Sequence, residues 1–533
     1  MMTVMQRVTG VPFGAVLLLL CTASLVHPQA SPGDVRSSLH VNGRHPLASD
    51  ANPGTAELPL QTLYRAAQVA EANHKNHVGT RIMIYPGIYR ETITLDRRGD
   101  QTDAPIIFEA KDKGTVIISG SDIWTDWEKP GGANIYTHPW PCKWGMSANP
   151  WEGENIALAP MVRRREMIFV EGTSLDQVLS FNALTDRSFY ISEEKGLVYV
   201  SLPLDVNIHN VIIEVSTREH IFAAHDVKNL VLRGLIFQHA NSSIQESAVS
   251  FVDSSHITIE DCQFIWNNWS GLGLWNSENL FVHRNVANNN GGLGMIMWKA
   301  NNLLLEENET SYNNWRGARG GFYGWAVAGI KSLRIHHGIY RRHKAVDNLA
   351  RGFWLDYDNG DIHIEEALVC RNWLDGVFIE ASQGPVMLKN STICYNKKGA
   401  GVLSTNSRAV TLEGNAVYDN GGPQIKVTGD SARRVTNWQT GEQMVLRAED
   451  WTLRSNTLVD HHPGQLLIDI PKWQHFLLSL TGDDNLWYNP SNTQAFKVGS
   501  VTLDFSGWRA ITGKDVGSRF AAPRGTFLAP STQ

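Results

Sequence analysis

Apolar and polar positions alternate in short phrases that recur along the chain: Asn229-Leu-Val-Leu-Arg, His256-Ile-Thr-Ile-Glu, Asn279-Leu-Phe-Val-His, Asn302-Leu-Leu-Leu-Glu, Ser332-Leu-Arg-Ile-His, Asp361-Ile-His-Ile-Glu, Gly384-Pro-Val-Met-Leu and Arg408-Ala-Val-Thr-Leu. Such alternation marks strands with one face buried. Successive phrases begin 27, 23, 23, 30, 29, 23 and 24 residues apart. A basic period near 23 fits one coil of three short strands, with loop insertions in the longer intervals. The pattern predicts an all-β chain wound as a right-handed parallel β-helix. Asn267, Asn289, Asn313, Asn372, Asn396 and Asn420 recur at a corresponding turn. Stacked Asn side chains hydrogen-bond to one another and tolerate the left-handed backbone of such a corner.

Three segments depart from the repeat. Tyr64 to Glu71 reads as an amphipathic helix with Thr62 as its N-cap, followed by a strand, a Pro86-Gly87 turn and another strand. Placed ahead of the first coil, this helix covers an edge that would otherwise recruit other strands. Residues 121–215 break the period with alternating segments such as Arg165 to Val170 and Gly196 to Ser201, read as an inserted, sandwich-like β domain. Met1 to Ala30 has Arg7 ahead of the apolar run Val11 to Leu20, the plan of a cleaved secretion signal and too short to span a bilayer. The predicted plan is a signal at 1–30, an N-terminal cap and first coils at 31–120, the insert at 121–215, a central β-helix at 216–430, and last coils with a C-terminal cap at 431–533. The protein is expected to be secreted or periplasmic.

Composition narrows the function. A formal charge of −6 and a pI near 6.3 give no basic field for gathering nucleic acid, and no later stretch is apolar enough to cross a membrane. Eighteen Trp residues offer flat faces for stacking on sugar rings, although they serve cores equally well. The expected partner is an oligosaccharide or polysaccharide. Cys142, Cys262, Cys370 and Cys394 show no Cys-x-x-Cys spacing, so no metal or cofactor is expected. Cys370 and Cys394 fall at similar places in adjacent coils, as stacked thiols or as a disulfide.

Alignment of the coils on a recurring Gly brings out the candidate chemistry: Gly271 leads to Trp275, Gly294 to Trp298, Gly324 to Ala328, Gly352 to Asp356, Gly376 to Glu380 and Gly401 to Thr405. Leu272, Leu274, Met295, Met297, Phe353, Leu355, Val377 and Ile379 then point inward and the residue four after each Gly points outward. Asp356 and Glu380 become neighbours in adjacent coils, about 4.8 Å apart. Like charges placed opposite each other across paired strands are destabilising. Retaining glycosidases, however, require two carboxyl groups about 5–5.5 Å apart, one a nucleophile and the other an acid/base. Trp275, Trp298 and Trp354 supply candidate sugar-stacking faces, with Asp358 and Gln383 as candidate polar contacts; Ala328 leaves space one coil before Asp356. Insertions at 313–324 and 341–351 are expected to wall the cleft.

The segments Trp354-Leu-Asp356, Val377-Phe-Ile-Glu380-Ala-Ser-Gln-Gly384-Pro385, Trp325-Ala-Val-Ala-Gly-Ile-Lys331 and Arg164-Arg-Glu-Met-Ile-Phe-Val-Glu-Gly172 resemble the parallel β-helix β-xylosidases of glycoside hydrolase family 120. The resemblance implies a retaining mechanism with Asp356 as nucleophile and Glu380 as acid/base. One position departs from it: Ala326 stands where the family carries an acidic residue, which bears on xylose specificity. Two other classes compete. A polysaccharide lyase acting on uronates would recruit Lys331 as a base with Asp356, Asp358 and Glu380 around calcium. A non-catalytic β-helix would bind glycans without turnover. The Asn-Thr-Asp and Gly-His-Gly motifs of pectin hydrolases are absent.

Overall fold

A computed structural model describes residues 35–97, 102–131, 134–429 and 431–524. The proposed signal lies outside the described residues. Among them, no helix is long and apolar enough to cross a membrane.

The chain is a right-handed parallel β-helix whose coils contribute strands to three faces. Two faces are continuous sheets of 13 strands, and the third runs as sheets of four and seven strands. Isolated bridges Gln263–Val286, Val286–Glu309 and Glu309–Lys344 carry the third face across the break. Leu272, Leu274, Met295, Met297, Phe353, Leu355, Val377 and Ile379 are fully buried in one axial core, as the alternation requires. Each such side chain contributes roughly 1.5–3 kcal/mol on leaving water.

The rod is closed at both ends. Leu63–Lys75 forms the N-terminal helix; Thr62 accepts from the Arg65 amide at 3.1 Å, and Leu63, Ala66, Ala67 and Ala70 are buried in the same core as Ile82 and Ile84. A strand ahead of this helix, Val35–Val41, extends the first face by pairing with Gly79–Ile84. At the other end Phe505–Thr512 brings Trp508 against Phe496.

The insert is a sandwich of two four-stranded sheets. Ile168–Val170 and Ile213–Ser216 belong to one sheet, Ser188–Ser192 and Leu197–Ser201 to the other, and Phe189, Ile191, Val198, Val200, Ile213 and Val215 fill the space between. Fully buried Arg316 rivets the insert to the coils: Nε donates to Asn268 Oδ1 at 2.6 Å, Nη1 to Gln177 Oε1 at 2.6 Å and Nη2 to the Glu166 carbonyl at 2.7 Å. Burial pulls the pKa of Arg316 down to about 9.

The structure corrects the expected coil register at two places. The phrase Ser332 to His336 is not a first-face strand; the first-face strand of that coil is His336–Arg341, where Gly338 pairs with Leu303, 35 positions earlier. One long insertion, around the helix Trp315–Arg319, therefore replaces the two expected, and 341–351 contains the ordinary third-face strand Lys344–Val346. The strand His336–Arg341 was hidden because its inward positions are Gly338 and Tyr340. A Cβ at Gly338 would lie 3.2 Å from the Tyr340 ring, and the Tyr340 hydroxyl bonds Ser332 Oγ at 2.7 Å inside the core.

The second correction concerns the Asn stack, which runs Asn267, Asn290, Asn313, Asn348, Asn372, Asn396, Asn420, each side chain bonded to the next at 2.7–3.1 Å. Asn289 is not a rung. The left-handed conformation belongs to the residue before each rung, from Trp266 and Asn289 to Tyr395 and Asp419, with φ between 50° and 60°. The stack ends on Gln424, which donates to Asp460 at 2.5 Å. Asp460 lies with Asp419 and His462 in the one group of metal-ligating atoms found among the described residues, all within 4.8 Å and hydrogen-bonded internally. Cys370 and Cys394 form a disulfide between adjacent coils.

Candidate active site

Two outward columns of side chains on the second face build a cleft. The recurring Gly of the inserted coil is Gly329 rather than Gly324, so Leu333, not Ala328, continues the column of Trp275 and Trp298. Ala328 instead pairs with Arg351. Asp356 and Glu380 follow in this column, each one position beyond the Leu355–Ile379 pair, and Thr405 comes next. The neighbouring column, two residues earlier on each strand, runs Ile296, Lys331, Trp354, Phe378, Leu403. The Gly residues hold this register: a Cβ at Gly352 or Gly376 would lie 2.6 Å from the Nδ2 of Asn372 or Asn396, so the Asn stack and the cleft face share one constraint.

Contacts between the columns run diagonally. Lys331 Nζ lies 2.9 Å from Asp356 Oδ2 and 4.0 Å from the centre of the Trp354 ring. The Trp354 indole N–H donates to Glu380 Oε2 at 3.2 Å, while Arg433 Nη1 meets Glu380 Oε1 at 2.6 Å. The Asp356 and Glu380 side chains are 16% and 18% exposed, reachable from solvent yet shielded enough for these pairings to matter. Both carboxylates line one cleft of about 390 Å³ with Trp298, Trp325, Lys331, Trp354 and Arg433. Trp151, from the arm of the insert that packs on the Trp315–Arg319 segment, closes one side.

The model of the family described as "Right handed beta helix region" matches residues 198–439. The solved structure of XylC in complex with xylose is similar at 14% identity over 87% of this chain and 86% of that one, with a TM-score of 0.64. A structure named only as a glycoside hydrolase aligns at 12% identity over 90% of this chain and 99% of its own, with a TM-score of 0.49. An uncharacterised Bacillus subtilis protein, YwoF, is 39% identical over 79 residues, 15% of this chain and 15% of its own length. The family match and the likeness to XylC show the fold.

Within that fold, four of the expected site residues, Asp356, Glu380, Trp298 and Trp354, line the cleft. Trp275 sits one coil further along, its ring 6.3 Å from that of Trp298, and faces an adjoining hollow that shares Gln245 with the cleft. Asp358 and Gln383 are not among the lining residues. Asp358 is fully buried, accepting from Gln383 Nε2 at 2.9 Å and from the Trp438 amide at 2.8 Å. Gln383 also touches His336 Nε2, at 2.9 Å. These residues moor the antiparallel hairpin Arg433–Thr436 and Gln443–Leu446 to the coils. Burial opposes protonation of His336, but its contacts with Asp358 and Gln439 outweigh that and raise its pKa. Among the cleft residues that escaped assignment to the glycosidase site by sequence reasoning are Lys331, Arg334, Tyr357 and Arg433. Lys331 had a signal, lying in the Trp325 to Lys331 segment, whereas Arg433 stands on a hairpin outside the repeat.

Proposed function

We propose that the protein is a glycoside hydrolase that cleaves glycans by double displacement, with Asp356 as nucleophile and Glu380 as acid/base. The observation that carries this reading is the convergence of two partly shielded carboxylates, from adjacent coils, on one Trp-lined cleft. The coil spacing of about 4.8 Å falls near the separation retaining enzymes use. Asp356 attacks the anomeric carbon while Glu380 gives its proton to the departing glycosidic oxygen. A water, losing a proton to Glu380, then cleaves the Asp356 ester. Lys331 orients Asp356 and limits the charge repulsion between the two carboxylates. Arg433 occupies Glu380 Oε1, and that contact opens before the proton reaches the leaving group.

The xylose bound by XylC makes xylosides the first substrates to test, and Ala326, at the cleft, is the position where other sugars would be admitted. Purified protein is expected to release the phenol from at least one aryl glycoside, or xylose from a xylo-oligosaccharide, in a panel of both. Asp356→Asn and Glu380→Gln should each lower kcat at least about a hundredfold on that substrate. Wild-type rates in both variants would end the assignment. The cations beside both carboxylates also suit a lyase, in which Lys331 takes a proton from a uronate; ultraviolet absorbance of an unsaturated product, without water-dependent release of reducing ends, would favour that second reading.

A further inference from the structure

The cations of the cleft are unequally matched. Lys331 is paired with Asp356 and Arg433 with Glu380, whereas the Arg334 guanidinium has no carboxylate partner among the described residues. Its Nε is buried without a hydrogen bond. Arg334 is nonetheless held in place: its amide donates to the Tyr357 carbonyl at 2.8 Å, and its guanidinium packs 5.4 Å from the centre of the Tyr357 ring. The Arg433 guanidinium lies over the same ring, at 5.6 Å. The Tyr357 hydroxyl is fixed in turn by the Thr436 amide, at 2.9 Å. Two guanidinium groups thus share one aromatic platform at the mouth of the site, one with a carboxylate partner and the other without. Glu154, the remaining acid of the lining, is exposed on the rim.

We infer that the sugar seated beside Asp356 carries an anionic group, a uronate carboxylate or a sulfate ester, received by Arg334 with Arg433. This rests on the reading of the cleft as a glycan site. Guanidinium groups stacked on an aromatic ring are stiff, weakly hydrated and forked to match such oxyanions. A neutral pentose would leave the Arg334 donors unanswered. An arriving oxyanion would also offer Arg433 a new partner and release Glu380, so the substrate would itself prepare the acid.

The test is calorimetric binding, which needs no turnover. Intact wild-type protein is titrated with glucuronate, galacturonate, galacturonate methyl ester, a sulfated galactose, xylose and glucose. At least one acidic sugar is expected to bind about tenfold or more tightly than its neutral counterpart, a preference that shrinks with added salt and disappears in Arg334→Gln. The loss in that variant should fall mainly on the acidic sugar, bringing its affinity down toward that of the neutral counterpart. Arg334→Lys, which keeps the charge but not the fork, should retain part of the preference, and the thermal midpoints report folding of both variants. Tight binding confined to the sulfated sugar assigns the sulfate ester. Equal binding of acidic and neutral sugars, or a preference that survives Arg334→Gln, overturns the inference. Asp356→Asn separates the two proposals: acidic-sugar binding kept in a protein that cleaves no glycoside in either form refutes the hydrolase reading alone, and turnover without acidic preference refutes this one alone.

Discussion

Lys331 and Asp356 show how one side chain depends on another across coils. Their side chains are only 10% and 16% exposed, and the ammonium is held from the other side by the Trp354 ring, so each charge relies on its partner for much of what water would otherwise supply. Removing one partner strands the other. Lys331→Met and Asp356→Asn should each destabilise the protein by about 2 kcal/mol, and the double variant should cost clearly less than the two together. Chemical denaturation of the four proteins measures the coupling, and strict additivity would mean that the pair contributes nothing. The same diagonal contact explains why Lys331 was not assigned to the glycosidase site from the sequence. Alternation tells which residues face outward, and it placed Asp356 and Glu380 in one column. It does not tell which neighbour in the next column a long side chain will reach. Asp358 misled for a related reason: a carboxylate two residues from Asp356 looks like part of the site, yet its left-handed backbone, φ 61°, turns it into the buried network of His336 and Gln383.

At the scale of the strand and its corners, the Asn stack is the element that fixes the register. Asn348 Oδ1 accepts from both the amide and the side chain of Asn313 at 3.0 Å, and its Nδ2 donates to Asn372 Oδ1 at 2.8 Å and to the Thr310 carbonyl at 2.9 Å. Asn348→Ala orphans several buried groups at once and should cost about 3 kcal/mol. Thr411→Ala, at an outward strand position, should stay within about 0.5 kcal/mol. Equal shifts of the unfolding midpoint would remove the stack from the list of stabilising devices. The coils were legible where core positions hold Leu, Ile, Val or Met, because two inward apolar residues flanked by polar ones leave little other choice. The strand His336–Arg341 was not, since Gly338 and Tyr340 fill the inward positions and the five-residue phrase just before it imitates a strand. That slip shifted one rung of the expected column by five residues and put Ala328 where Leu333 stands, leaving Asp356 and Glu380 in their expected places. The hairpin bearing Arg433 was illegible for another reason: its alternation is mostly exposed and its contacts are with Tyr357, Asp358 and Glu380, all distant in sequence.

Across the whole molecule, a solenoid is held by neighbour-to-neighbour contacts, so a lesion at one coil or at the insert acts locally before the rod fails. Two buried imidazoles are such points in acid. His239 lies where the insert meets the coils, its ring stacked on Phe169 at 3.6 Å, and burial, aided by Arg90 and opposed by Glu214, lowers its pKa to about 4. His343 is fully buried, with Nε2 2.9 Å from Thr310 Oγ1, and burial alone lowers its pKa to about 3. An unfolded His titrates near 6.5. Between these values the unfolded chain binds protons that the folded one refuses, so the stability these groups contribute is complete above about pH 6.5 and declines as pH falls toward the folded values. Most ordinary carboxylates stay ionised down to about pH 4.5, which leaves a window from about 6.5 to 4.5 in which the imidazoles dominate. The thermal midpoint should fall with acidification across that window, and the fall should be shallower in His239→Gln and in His343→Gln, and shallowest in the double variant. Each variant can shift the midpoint at neutral pH by loss of packing; the slope against pH is the quantity that counts. An unchanged slope in the double variant would place the acid sensitivity elsewhere. A slope restored mainly by His239→Gln would show that the joint between insert and coils yields before the coils themselves, and with it the wall that Trp151 supplies to the cleft.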